Sequence, residues 1–139
     1  DLGVLVGKRV ALLAPWAESR GVALAARGSA KATVDADALA RAVDNLLRNA
    51  VEASAAGGSV DAVVEGAPDG PARISVLDRG SGVPPSRREE LFEPFFTTKP
   101  EGTGLGLALA RAVASAQGGT LTYERDGDAT RFTLTVGVP

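Results

Sequence analysis

The order of apolar and polar positions divides this chain into helical and extended stretches before any single residue is considered. Residues 4–19 bring Val6, Val10, Leu13 and Trp16 to one side at helical spacing, with Pro15 as an interruption and Gly21 as the stop. Residues 22–26 alternate as a short strand, and 31–34 form a second extended run before Asp35. Asp35 or Asp37 caps the best-defined helix, residues 38–55, in which Leu39, Val43, Leu46, Leu47, Ala50 and Val51 share a face that must pack on a sheet. Gly57-Gly58 stops it. Residues 59–65 and 72–77 then alternate as the two strands of a hairpin joined through Ala67-Pro68-Asp69-Gly70-Pro71. Ser86-Arg87-Arg88-Glu89 reads as a capping box opening a short helix through Leu91. The last helix, 105–116, carries Leu105, Leu109, Ala112 and Ala116 on its inner face and ends at Gly118-Gly119. Residues 120–124 and 130–136 close the chain as strands around Arg125-Asp126-Gly127-Asp128.

Four features stand out against this pattern. Asn45, Asn49 and Glu52 lie at i, i+4 and i+7 on the central helix, a polar stripe apart from its apolar face. A solvated face is one reading; but asparagine is a poor helix former, and two in one stripe also read as side-chain amides placed for a purpose. Asp78 leaves a strand and enters the bend Arg79-Gly80-Ser81-Gly82, either as a turn aspartate or as an acceptor for a ligand amine. Phe92, Phe95 and Phe96, three of the four phenylalanines, gather within five residues as core or as the anchor of a loop. Gly102, Gly104 and Gly106 alternate directly before a helix, which makes either a tight turn or an anion site of inward-facing N–H groups. The spacing is neither that of a Walker loop nor that of a dinucleotide fingerprint.

Composition narrows the field. A chain of 139 residues forms one domain and buries roughly two thirds of its unfolded surface. A net charge of −2 and a pI near 5.2 argue against a general nucleic-acid binder. The chain has no cysteine, which excludes disulfides and thiolate metal sites, and no histidine, which removes imidazole as ligand, base or phosphoacceptor. No apolar run reaches the roughly 18 residues of a membrane span and no leader opens the chain, so a cytoplasmic setting without membrane contact is expected.

Taken in order, these motifs resemble the ATP-binding catalytic domain of sensor histidine kinases, over nearly the whole chain. Asp44-Asn45-Leu46-Leu47-Arg48-Asn49-Ala50 looks like that family's N box and Asp78-Arg79-Gly80-Ser81-Gly82 like its first glycine box. Leu91-Phe92-Glu93-Pro94-Phe95-Phe96 is similar to its F box, and Gly102-Thr103-Gly104-Leu105-Gly106-Leu107 to its second glycine box. The resemblance implies a Bergerat-type α/β two-layer sandwich, in α+β terms a mixed, largely antiparallel sheet covered on one face by helices. It implies the cofactors ATP and Mg²⁺. Asp78 would accept from the adenine amine with Thr130 in support through water, and Asn49 would ligate Mg²⁺ with Asn45 nearby. Gly80, Gly82, Thr97, Thr98, Lys99, Gly102, Thr103, Gly104, Leu105, Gly106 and Leu107 would line the nucleotide, with residues 97–101 as a lid. Asn45 and Lys99 are the implied catalytic residues.

The position three residues after Asn49, basic in many members of the family it resembles, is here Glu52, and Arg48 and Lys99 are the candidates for the phosphate cation. Relatives that hydrolyse ATP carry a glutamate base where this chain has Asn45, and an amide cannot take a proton from water. The remaining chemistry is positioning and charge stabilisation for transfer to an external nucleophile. By the resemblance that nucleophile is a histidine on the kinase's own dimerisation hairpin, in a homodimer that signals to a response-regulator receiver domain. With no histidine of its own, residues 1–139 read as one excised catalytic domain. An ATPase of the same superfamily, an anti-sigma-type serine kinase and a nucleotide-binding module without transfer activity are the alternatives.

Overall fold

A computed structural model of the chain describes residues 1–66, 70–80 and 106–136. Among these residues three helices and five strands follow one another as α1 (Leu2–Ser19), β1 (Ala23–Gly28), α2 (Ala36–Ala53), β2 (Ser59–Gly66), β3 (Ala72–Asp78), α3 (Gly106–Ala116), β4 (Thr120–Asp126) and β5 (Ala129–Val136). The strands form a sheet in the order β1-β2-β3-β5-β4. Only the β1–β2 pair is parallel, and it is the pair whose connection contains a helix, α2, as a parallel crossover requires. The other three pairs are antiparallel, so the sheet is mixed and largely antiparallel, with helices packed on it.

Period-two burial settles which strand residues meet the helices. Val60, Ala62 and Val64 of β2, Ala72, Ile74 and Val76 of β3, and Phe132, Leu134 and Val136 of β5 are buried in one core with Leu39, Val43, Leu46, Leu47, Ala50 and Val51 of α2. Asp35 is the cap of α2, its side chain accepting from the Ala38 N–H, and Ser54 ends the helix ahead of Gly57. Helix α1 adds Leu2, Val6, Val10, Leu13 and Ala17 to the same core. It runs through Pro15 without ending, because the proline is exposed and forfeits one backbone bond while Leu13 and Ala17 on either side hold the last turns down.

Three sequence expectations need correcting. Residues 31–34 are not a strand. Gly28 ends β1 at φ +88°, where a Cβ would lie 2.1 Å from the Val64 carbonyl oxygen. The chain then crosses without regular structure to Asp35, tied down by the Leu2 N–H donating to the Ala30 carbonyl at 2.8 Å. The inner face of α3 is not the line of Leu109, Ala112 and Ala116: Ala110 and Ala114 are buried, Leu107 and Val113 pack partly on the core, and Leu109 is 55% exposed. Small residues face inward where α3 packs against α2 and the sheet end. The last hairpin is tighter than its predicted four-residue turn, with only Gly127 and Asp128 between β4 and β5.

Helices α1 and α2 are joined across their polar flank by Arg9, whose Nε and Nη2 donate to the two carboxylate oxygens of Asp44 at 2.8 and 2.6 Å. Both groups are only partly exposed, so this two-pronged pair is screened less than a surface pair. A double-mutant cycle of Arg9→Ala and Asp44→Ala, read by urea unfolding, should give a coupling of about 1 kcal/mol that shrinks in high salt.

Candidate nucleotide site

The C-terminal end of β3 gathers a small polar group on the helix-facing side of the sheet. Asp78, its last residue, is 3% exposed, and its cross-strand partner on β5, Thr130, is 2% exposed. Beyond Asp78 the chain bends back so that the Gly80 N–H donates to Asp78 Oδ1 at 2.8 Å. The bend lies against the last turn of α2: a Cβ on Gly80 would sit 2.3 Å from the Ala53 carbonyl oxygen, which only glycine avoids. From β4, one guanidinium nitrogen of Arg125 donates to the Gly80 carbonyl at 2.5 Å and to Thr130 Oγ1 at 2.7 Å. Burial pushes the Asp78 carboxyl above the ordinary carboxylate range, while the Gly80 N–H and the charge of Arg125 pull it back.

Helix α2 carries the second half of the site. Asn45 and Asn49 are half-buried one turn apart on the same flank, and Glu52 is exposed. A Cβ placed on Gly106, the first residue of α3, would lie 3.7 Å from the Asn45 side chain, so the start of α3 borders Asn45. At 1.5 Å per residue, Asn45 stands about 12 Å along α2 from Ala53 and the Gly80 bend. One flank of α2 therefore connects a buried acid at one end with an amide and the start of α3 at the other. Arg48 and Asn45 also line an open groove of about 420 Å³ that α2 forms with Leu109 and Val113 of α3.

Of the residues singled out from sequence, Asn45, Asn49, Asp78, Gly80, Gly106, Leu107 and Thr130 are described, and Asp78, Gly80 and Thr130 are brought together. Gly82, Thr97, Thr98, Lys99, Gly102, Thr103, Gly104 and Leu105 lie outside the described residues, as do the capping box at Ser86 and the cluster of Phe92, Phe95 and Phe96. Sequence reading missed Arg125, which was placed in a turn. The signal was available: Leu121, Tyr123 and Arg125 continue one period-two register, which puts Arg125 on the helix-facing side of β4.

The family profile described as histidine kinase-, DNA gyrase B- and HSP90-like ATPase matches residues 34–139. The chain belongs to this family. Among curated relatives, the sensor histidine kinase ZraS of Escherichia coli O157:H7 is 35% identical over 140 residues, covering 96% of this chain and 30% of ZraS. The chain thus spans about a third of that relative's length. Among solved structures, the catalytic domain of histidine kinase ThkA superposes with a TM-score of 0.88 at 26% identity, covering 99% of this chain and 92% of that one. Full-length ShkA, solved in complex with AMPPNP, matches with a TM-score of 0.85 at 30% identity, over 99% of this chain and 30% of ShkA. The fold of this ATPase-family chain is that of histidine kinase catalytic domains, as the motifs led one to expect. No helix among the described residues is long and apolar enough to cross a membrane.

The donor set bears on what the site could hold. Among the described residues no three carboxylates, imidazoles or thiolates lie together as a metal cage. The amide oxygens of Asn45 and Asn49 are hard but neutral ligands, suited to Mg²⁺ whose charge an anionic ligand already balances.

The raised pKa of Asp78 fixes a sign. The folded state holds the proton more tightly than the unfolded chain, so the stabilising contribution of Asp78 is complete below the ordinary carboxylate pKa and is lost as pH rises through the folded value. Asp78→Asn keeps an oxygen acceptor for Gly80 and removes the buried charge. Thermal denaturation across pH should therefore find the variant at least as stable as the parent at pH 7, with that advantage shrinking toward acid pH. A variant markedly less stable at pH 7 would mean that the Arg125 attraction outweighs the burial.

Proposed function

We propose that this chain is a single ATP-binding catalytic domain of a sensor histidine kinase: it binds Mg-ATP and donates the γ-phosphoryl to a histidine on a separate dimerisation hairpin. The observation that carries the reading is the buried Asp78 at the strand exit, with Asn45 and Asn49 on the helix flank leading away from it. Asp78 accepts from the adenine amine, and the flank of α2 leads from the base toward the phosphates. Asn49, with Asn45 beside it, holds Mg²⁺, and bound Mg²⁺ supplies charge neutralisation on the phosphates. Arg48, which lines the groove with Asn45 as Arg41 does, is the described candidate for a phosphate cation.

The transfer needs little from this chain beyond position. A histidine ring nitrogen forms the new bond to the γ-phosphorus as the bond to the β–γ bridging oxygen breaks, and ADP leaves with the electron pair. The chain holds the donor and supplies no base: Asn45 cannot activate water, which disfavours the hydrolytic reading. The phosphoacceptor hairpin of the same kinase, in a homodimer, and a receiver domain downstream are the implied partners, in a cytoplasmic setting.

Two measurements test this. With γ-labelled ATP and Mg²⁺, the 139-residue chain alone should release little phosphate and label nothing of its own. With the phosphoacceptor hairpin of its own kinase added, it should label the hairpin with acid-labile phosphohistidine, slowly, because separation forfeits the effective concentration of a tether. Rapid phosphate release would make it an ATPase, and label on a partner's serine would make it a serine kinase. For the metal, Asn49→Ala should fold normally yet lose the Mg²⁺ dependence of ATP affinity in calorimetric titrations. Full retention of the metal effect would leave the asparagine stripe a surface feature.

A further inference from the structure

We propose that Arg125 is a specificity-determining residue that acts through Thr130: it biases the donor–acceptor polarity with which the site meets the six-position edge of a purine. The inference rests on the reading of Asp78 as the base acceptor and goes beyond it, to a residue of β4 that none of the motifs contains. Arg125 enters the site from β4, on the helix-facing side of the sheet, and is only half-exposed. A single nitrogen spends both of its protons there, one on the Gly80 carbonyl and one on Thr130 Oγ1.

The second bond matters most. A threonine hydroxyl has one proton and two lone pairs, and alone it rotates to donate or accept as its neighbour demands. Arginine can only donate. With Arg125 on one lone pair, the hydroxyl proton must point away from the guanidinium and a single lone pair is left, so Thr130 is biased toward offering the purine side a donor. Beside it stand the carboxyl oxygens of Asp78, one of which already accepts from the Gly80 N–H, as acceptors for the base. Donor beside acceptor complements adenine, whose N1 accepts and whose 6-amino group donates. A 6-oxopurine presents the reverse, an oxygen that accepts beside an N1–H that donates, and meets both groups with the wrong polarity. The first bond holds the Gly80 peptide between Arg125 and the Asp78 carboxylate, so the bend that lies on Ala53 is fixed from both sides.

ATP and ITP differ only at this edge, and their affinities for the 139-residue chain by calorimetry give the readout. Arg125→Met should lower the preference for ATP over ITP about tenfold, as expected from the loss of hydrogen bonds to a charged group, and Arg125→Lys should restore most of it. Thr130→Val should lower the same ratio, and the double variant Arg125→Met with Thr130→Val should lower it no further, because the two residues act in series. Additive losses, or an unchanged ratio in a folded Arg125→Met protein, would reduce Arg125 to a structural brace and overturn the proposal. Should Arg125→Met fail to fold, an unchanged ratio in Thr130→Val overturns it equally. The underlying site is tested separately: Asp78→Asn should weaken ATP binding itself, and unchanged ATP affinity there would remove the base site whatever Arg125 does.

Discussion

The close contact between the Gly80 bend and the last turn of α2 is the constraint on which the site depends. A helix with one wholly apolar face must lie on the sheet, and its position is set by Leu39, Val43, Leu46, Leu47, Ala50 and Val51. Once α2 is seated, the chain leaving β3 has room to turn only if its second residue has no side chain, because the Ala53 carbonyl occupies the space. That turn brings the Gly80 N–H onto Asp78 and the Gly80 carbonyl within reach of Arg125. Core packing thus places the acid, the bend and the cation relative to one another.

Electrostatics opposes that packing. A carboxylate 3% exposed on the core side of a sheet is disfavoured in its charged form, and Asp78 is shifted accordingly. Among the described residues no direct ion pair neutralises it. The charged hydrogen bonds of Arg125 go to Thr130 and Gly80, so the carboxylate feels the cation across a short distance while its oxygens keep accepting capacity. The Arg9–Asp44 pair shows the contrast: there both carboxylate oxygens are taken by a guanidinium, and the acid joins two helices. The acid proposed to bind the base and the acid that braces two helices are thus treated differently within one domain.

Much of this was legible in the sequence where burial follows hydrophobicity. Helix α2, the β2–β3 hairpin and the terminal strands are strongly periodic, and they stand where the pattern puts them within two residues. Helix α3 was misread because alanine and leucine swap their usual roles: close packing against α2 selects Ala110 and Ala114 for the inside and leaves Leu109 outside. The run at 31–34 has strand-like residues but pairs with no strand among the described residues, because Gly28 turns the chain away from the sheet at the end of β1. Strand order, with β5 inserted between β3 and β4, is a tertiary fact that local pattern does not encode. Asp78 and Thr130 were found as a pair because the family resemblance names both positions, whereas Arg125, which joins them, was hidden by a turn drawn too wide.

The most direct test of the account is a crystal structure of this chain with Mg²⁺ and a non-hydrolysable ATP analogue. It should show the adenine 6-amino group about 3 Å from an Asp78 carboxylate oxygen, with the triphosphate running along α2 toward Asn49 and Asn45. A base lodged elsewhere, for instance in the groove between Arg41 and Leu109, with Asp78 still facing protein alone, would contradict it.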